Sequence, residues 1–280
     1  MMSGILGKVK TFLRNRSKPI VKVEIGNYTT GTLLQGKVIL VTGGGKGIGK
    51  AIATKCVSEG AKVIITGRNE ETLSATSQSL GDSCAYIVFD NQNIGKTDDL
   101  ILEAEKKFGM IDCLVCNAGI SNHESNMMNV TIDGFDQLMS VNLKSTYFLI
   151  QGFIRRTLNR KQERTIVVIS SETGDMASDI PYGLSKASLN SLVRGVAYRY
   201  HPDQVRVNAI APGVTLTDMT KGYANPKGGN LYRNNISGRY FLPEEIAEVA
   251  CFLLSNVSSC INGEIIHCNG GNHIRPYWKG

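Results

Sequence analysis

Short β-branched runs alternate with longer helix-forming segments from residue 38 onward, and this alternation constrains the fold of the chain more than any other feature. Residues 38–41, 63–66, 85–89, 111–116, 165–169, 205–210 and 264–267 read as strands. Between them, residues 50–59 (ended by Gly60), 73–80, 96–108, 132–158, 181–200 and 244–254 read as helices. Strand and helix in repeated alternation is the signature of an α/β fold. The expected form is a doubly wound parallel sheet of about seven strands with helices on both faces. Ligands in such sheets bind outside the carboxyl ends of the strands. Residues 213–241, rich in Gly, Asn and Tyr with little periodicity, read as a mobile lid there.

The 280 residues and apolar fraction of 42% fit one globular domain, residues 34–280, behind an N-terminal extension, residues 1–33. The net charge of +7 is unevenly placed. In the extension Lys8, Lys10, Arg14, Arg16, Lys18 and Lys22 stand against the single acid Glu24, whereas the body holds 25 basic and 23 acidic residues. A body so near neutrality gives no support for nucleic-acid binding. No apolar run approaches the roughly 18 residues of a transmembrane segment, and the N-terminus lacks the apolar stretch of a secretory signal. Seven cysteines, an odd number, point to reduced thiols and a cytoplasmic setting. Cys113 and Cys116 form a CxxC within an apolar strand, where residues three apart face opposite sides. A redox pair belongs at a helix N-terminus instead. His123, His201, His267 and His273 lack metal-ligand spacing, so no metal is expected.

The first strand runs into Val41-Thr42-Gly43-Gly44-Gly45-Lys46-Gly47-Ile48-Gly49. A glycine-rich turn between strand and helix lets the backbone approach a pyrophosphate at the helix N-terminus, although many such turns bind nothing. Farther on, Tyr182 and Lys186 lie four apart on one helix face. A phenol, with a pKa of about 10, is a poor acid–base catalyst at neutral pH. A close ammonium favours its phenolate, so the spacing has a chemical use. An isolated pair at this spacing is common on helices.

The TGxxxGxG spacing resembles the short-chain dehydrogenase/reductase family. Asn117-Ala118-Gly119, Asn142, Ser171, Tyr182-x-x-x-Lys186 and Pro212-Gly213 follow in that family's order over residues 34–280. By default the likeness is to its single-domain 3-oxoacyl-carrier-protein reductases. It implies a Rossmann-type fold, a nicotinamide cofactor and hydride transfer between a ketone and a secondary alcohol. It implies that Gly43, Lys46, Gly47, Ile48 and Gly49 form the cofactor turn, that Asp90 contacts the adenine and that Asn117 braces the neighbouring strand. Pro212, Thr215 and Thr217 would fix the carboxamide and diphosphate. Tyr182 would be the acid–base, and Lys186 would lower its pKa and bond the nicotinamide ribose. Ser171 would bond the substrate oxygen, and Asn142 would hold a relay water. The strand count and an SxxG from Ser171 to Gly174 favour Ser171 over Ser170. The stretch from Ser171 to Tyr182 is one or two residues shorter than the family's usual one, which leaves the pocket's shape open.

An acid after the second strand bonds the adenosine ribose of NAD in such folds. Here Gly67 takes that place and Arg68 follows, a guanidinium able to grip a 2′-phosphate. With Lys46 as a second positive charge, NADP(H) is expected over NAD(H). The plainer alternative is that both are solvated surface charges.

The small-molecule substrate is less defined. Residues 121–126 and Glu172, Asp175 and Asp179 make a polar surround suited to sugars or polyols, or are solvent-facing loop positions. Arg239 is read as structural rather than anion-binding. Ile5, Leu6, Val9, Phe12 and Leu13 fall at helical spacing among basic residues. The extension therefore packs on the body or a neighbouring subunit, docks an acidic partner, contacts a membrane surface or is a cleaved targeting peptide; packing is preferred. A homo-oligomer, dimer or tetramer, is expected. Three functions follow: a polar-substrate ketoreductase, a 3-oxoacyl-carrier-protein reductase, or a catalytically silent binding protein on the same fold.

Overall fold

The computed structural model describes residues 31–158, 163–223, 232, 234 and 236–274. The amphipathic part of the extension and the lid residues 224–231, 233 and 235 lie outside the described residues. Seven strands form one parallel sheet: β1 (Val38–Thr42), β2 (Lys62–Gly67), β3 (Cys84–Val88), β4 (Cys113–Cys116), β5 (Arg164–Ile169), β6 (Val205–Pro212) and β7 (Ile265–Cys268). Their order is β3-β2-β1-β4-β5-β6-β7. The chain builds outward from β1 to β3, then returns to lay β4 on β1's other side. The carboxyl ends of β1 and β4 therefore flank the switch point, where a ligand crevice opens.

The central strands are buried throughout because helices cover both faces. Alternate side chains feed two cores. Leu40, Ile64, Leu114, Ile166 and Val207 pack with α3 (Thr97–Phe108), α5 (Ser145–Thr157) and α6 (Pro181–Tyr200). Ile39, Val63, Ile65, Val115 and Val167 pack with α1 (Gly47–Ser58), α2 (Glu70–Leu80) and α7 (Pro243–Leu254). Cys113 enters the second core and Cys116 the first. The CxxC is thus split across the sheet as free, buried thiols, and burial pushes Cys113 up to about 11. Leu34, fully buried, is the first core residue among the described residues, and its N–H bonds the Glu59 carbonyl at 2.9 Å.

Several boundaries depart from the sequence reading; the second helix, read from residue 73, begins at Glu70 behind the Asn69 cap, and β4, read from residue 111, begins at Cys113. Helix α1 begins three residues earlier, at Gly47, because its first turn is too glycine-rich to carry an apolar period. The expected helix 132–158 is α4 (Ile132–Met139) followed by a π turn, Ser140–Lys144, before α5. Such turns widen a helix locally and are frequent at functional sites. Among the described residues no helix is long and apolar enough to cross a membrane, and no three His, Cys, Asp or Glu could hold a metal ion.

Candidate active site

The glycine turn is built for close approach. A Cβ at Gly49 would stand 2.2 Å from the Gly43 carbonyl oxygen, and Gly43 itself has φ +66°. Both positions therefore require glycine. Asn117 Nδ2 donates to the Thr42 and Gly43 carbonyls at 2.9 and 3.1 Å, bracing β4 against the turn. Helix α1 starts with no side-chain cap and no acid in its first turn, whereas α2 has the Asn69 cap with Glu70 and Glu71. Uncapped amides at the positive end of a helix fit the diphosphate of a dinucleotide. Gly47 and Ile48 lie in that turn, and Thr217 faces it, its methyl 3.3 Å from where a Gly47 Cβ would stand. Pro212 ends β6; Thr215, buried, donates to the Gly213 carbonyl at 2.9 Å. Asp90 follows β3, its carboxylate accepting from Gln92 N at 3.0 Å. Arg68 is exposed just after β2, and exposed Lys46 pairs with Asp218 at 3.2 Å. Nothing local in the sequence announced Asp218.

On the other side of the switch point the four acid–base candidates converge. Ser170 and Ser171 follow β5 with different fates. Ser170 donates to Asn190 Oδ1 on α6 at 2.6 Å, whereas the Ser171 hydroxyl stands beside the Tyr182 phenol. Lys186 is 5% exposed, donates to the Ile169 carbonyl at 3.0 Å and stands 5.6 Å from the Tyr182 ring centroid. Asn142 lies in the π turn. Its side chain is clasped by Ile120, accepting from that N–H at 2.8 Å and donating to that carbonyl at 3.0 Å. The Asn142 amide therefore shapes the loop after Asn117-Ala118-Gly119. A Cβ at Gly119 would stand 3.3 Å from Asn142 Oδ1 and 3.7 Å from Lys186 Nζ, so both groups close on that glycine.

The electrostatics differ from the sequence expectation. Burial pushes the Tyr182 phenol up, Ser171 opposes this by hydrogen bonding, and the Glu172 carboxylate adds to the rise. Burial also pulls Lys186 down to about 8. Burial is the largest influence on the phenol, and the Lys186 ammonium, 5.6 Å from its ring centroid, is turned to a backbone carbonyl. The polar surround is also largely committed. Glu172 accepts from Asn272, Asp175 from His267 and Asp179 from Met127 N. Arg239 makes two 2.7 Å bonds to the Glu245 carboxylate at the start of α7, a structural tie.

A family model described as Enoyl-(Acyl carrier protein) reductase matches residues 43–273. The 3-oxoacyl-(acyl-carrier-protein) reductase of Rickettsia bellii (strain RML369-C) is 35% identical over 240 residues, 85% of this chain and 97% of that protein. The Aquifex aeolicus (strain VF5) protein of the same name is 35% identical over 245 residues, covering 85% and 98%. A solved 3-ketoacyl-(acyl-carrier-protein) reductase from Brucella melitensis, complexed with NADH, superposes with a TM-score of 0.79 at 30% identity, over 86% of this chain and 100% of that one. The sheet order agrees with these matches: the chain is an oxidoreductase of the short-chain dehydrogenase/reductase family.

Proposed function

We propose that this protein reduces the ketone of a 3-oxoacyl thioester, taking hydride from NADPH. The carrying observation is the pair of hydroxyl donors, Ser171 and Tyr182, set beside one another above buried Lys186. Two donors converging on one point suit a carbonyl oxygen that gains negative charge. A bound nicotinamide cofactor supplies the hydride. Tyr182, held protonated by burial, gives its proton to that oxygen, and Ser171 donates a hydrogen bond to it. The Lys186 ammonium offsets the phenolate left behind.

The substrate class rests on what surrounds the site. Glu172, Asp175 and Asp179 are engaged by protein donors, which weighs against a polyol lining. Met127, Met128, Leu184, Leu216 and Met219 are exposed on segments leaving the carboxyl edge of the sheet, an apolar surround suited to an acyl chain. The named relatives act on carrier-protein thioesters of this kind. Exposed Leu102, Tyr147 and Phe148 on α3 and α5 support association with a second copy, and the free thiols suit the cytoplasm. NADPH oxidation, followed by absorbance, is expected with acetoacetyl thioesters and not with keto-sugars. The reverse result moves the assignment to polar substrates, and oxidation with neither makes the protein a silent binder.

For the cofactor, Gly67 leaves no acid to repel a 2′-phosphate, and Arg68 and Lys46 offer cations. The exposed Lys46–Asp218 pair is weak enough to yield to a phosphate. Arg68→Ala is expected to weaken NADPH binding about tenfold to a hundredfold, the worth of a charged hydrogen bond, and to spare NADH. Tighter binding of NADH than NADPH to the unsubstituted protein would reverse the assignment.

A further inference from the structure

The turn that carries the catalytic serine is bonded to a segment about a hundred residues away. Ser171 caps the short 3-10 turn Glu172–Asp175, its hydroxyl accepting from Thr173 N at 3.3 Å. The inner side of this turn is fixed by Gly174, where a Cβ would come within 3.0 Å of the Lys186 carbonyl oxygen on α6. Its outer side is held from β7 and the turn beyond. His267 Nε2 donates to Asp175 Oδ2 at 2.8 Å, and Asn272 Nδ2 donates to Glu172 Oε2 at 3.0 Å. Glu172 is only 7% exposed and Asn272 half-buried, so that bond is partly shielded from solvent.

The segment is closed on itself. The His267 and His273 rings stack with centroids 3.7 Å apart and 12° between planes. His273 Nδ1 donates to Asn269 Oδ1 at 3.0 Å, and Asn269 is fully buried. His267 pairs in register with Ala211 on β6. Its ring therefore reaches across the end of β6 to a turn that issues from β5.

We propose that residues 267–273 are a positioning strap for Ser171, acting through Asp175 and Glu172. A four-residue 3-10 turn has few bonds of its own, here Gly174 N to the Ser171 carbonyl at 3.0 Å and Met176 N to the Thr173 carbonyl at 3.3 Å. Two outside anchors, each ending on a carboxylate, restrict how far the serine hydroxyl can drift from Tyr182. The catalytic consequence of this restraint rests on the reductase reading; the restraint itself does not.

The test compares the full chain with its His267→Gln, Asp175→Asn and Asp175→Glu variants. Amide hydrogen exchange at one fixed pH reads the turn directly. Exchange of residues 172–176 is expected to quicken about tenfold or more in His267→Gln and Asp175→Asn, with β5 and α6 unchanged. The kcat for ketone reduction is expected to fall roughly tenfold, because small misplacements of a positioned group are costly. KM for NADPH stays the same, and Asp175→Glu, which keeps the carboxylate, recovers part of the loss. Unchanged exchange overturns the strap. Faster exchange with an unaltered kcat overturns its role in positioning Ser171. A wild-type protein that reduces no carbonyl refutes the reductase reading alone, and the exchange data then decide the strap by themselves.

Discussion

Tyr182→Phe is expected to lower kcat for carbonyl reduction by ~10²–10⁴-fold, the usual worth of a positioned general acid, while cofactor affinity and thermal stability stay close to wild type. The substitution removes one oxygen from a half-buried ring and leaves the packing of α6 intact. Ser171 keeps a hydroxyl at the site, but an alcohol is a far poorer acid than a phenol, so it orients the carbonyl without protonating it. The same cluster sets the pH dependence. Burial raises the phenol, which therefore stays protonated at neutral pH, and lowers Lys186 from 10.5 to about 8. The ammonium is present below that value and lost above it. For reduction, kcat/KM for NADPH, which reports groups of the free protein, is expected to fall as pH rises through about 8. Lys186→Met removes that limb together with most of the rate. A Tyr182→Phe variant that turns over at the wild-type rate, or a wild-type profile that climbs steadily past about pH 9, a full unit above the Lys186 value, rules out this acid.

How far the sequence reveals this site depends on the range of each interaction. The strands are legible because burial on both faces leaves unbroken apolar runs, and β4 splits Cys113 from Cys116 as strand geometry demands. Ser170 and Ser171 are separable because neighbours on an extended chain face opposite ways, one toward Asn190 and one toward Tyr182. The start of α1 is hidden, since Gly47-Ile48-Gly49 carries a phosphate-type turn and no period. The π turn at Asn142 is hidden as well, because one widened turn leaves no trace in an otherwise helical pattern. Glu172 and Asp175 show what short-range reading cannot supply. Their polarity suggests a hydrophilic pocket, but their donors lie 100 and 92 residues downstream. The raised Tyr182 likewise depends on desolvation, a property of the assembled site rather than of a YxxxK spacing.

Arg206→Met is expected to destabilise the fold by about 3 kcal/mol, the worth of the charge-assisted hydrogen bonds that a buried guanidinium makes, with little effect on the chemistry of molecules that remain folded. Arg206, between Val205 and Val207 at the start of β6, is 2% exposed. Its Nε donates to Glu163 at 2.6 Å. Its terminal nitrogens donate to the carbonyls of Leu253, Ser255, Ser258 and Ile261 at 3.0–3.3 Å and to the Thr165 and Ser258 hydroxyls at 3.3 Å. Helix α7 has no basic residue in its last turn. Arg206 supplies that charge from the sheet, satisfying carbonyls at the negative end of the helix. Methionine fills the space but donates nothing: the Glu163 carboxylate loses this partner, and the carbonyls of Leu253, Ser255, Ser258 and Ile261 are left with the bonds they already receive from Ser258 Oγ, Ile261 N and Asn208 Nδ2. For a domain of this size the loss corresponds to a fall of roughly 10 °C in Tm, measurable by calorimetry or circular dichroism. The residue sits at the amino end of β6, whereas Ser171 and Tyr182 lie beyond the carboxyl end of the sheet. Rates measured well below the melting transition should therefore match wild type. A Tm within about 2 °C of wild type, the shift expected for about one kcal/mol, would mean that water replaces the guanidinium and that α7 is held by its apolar face alone.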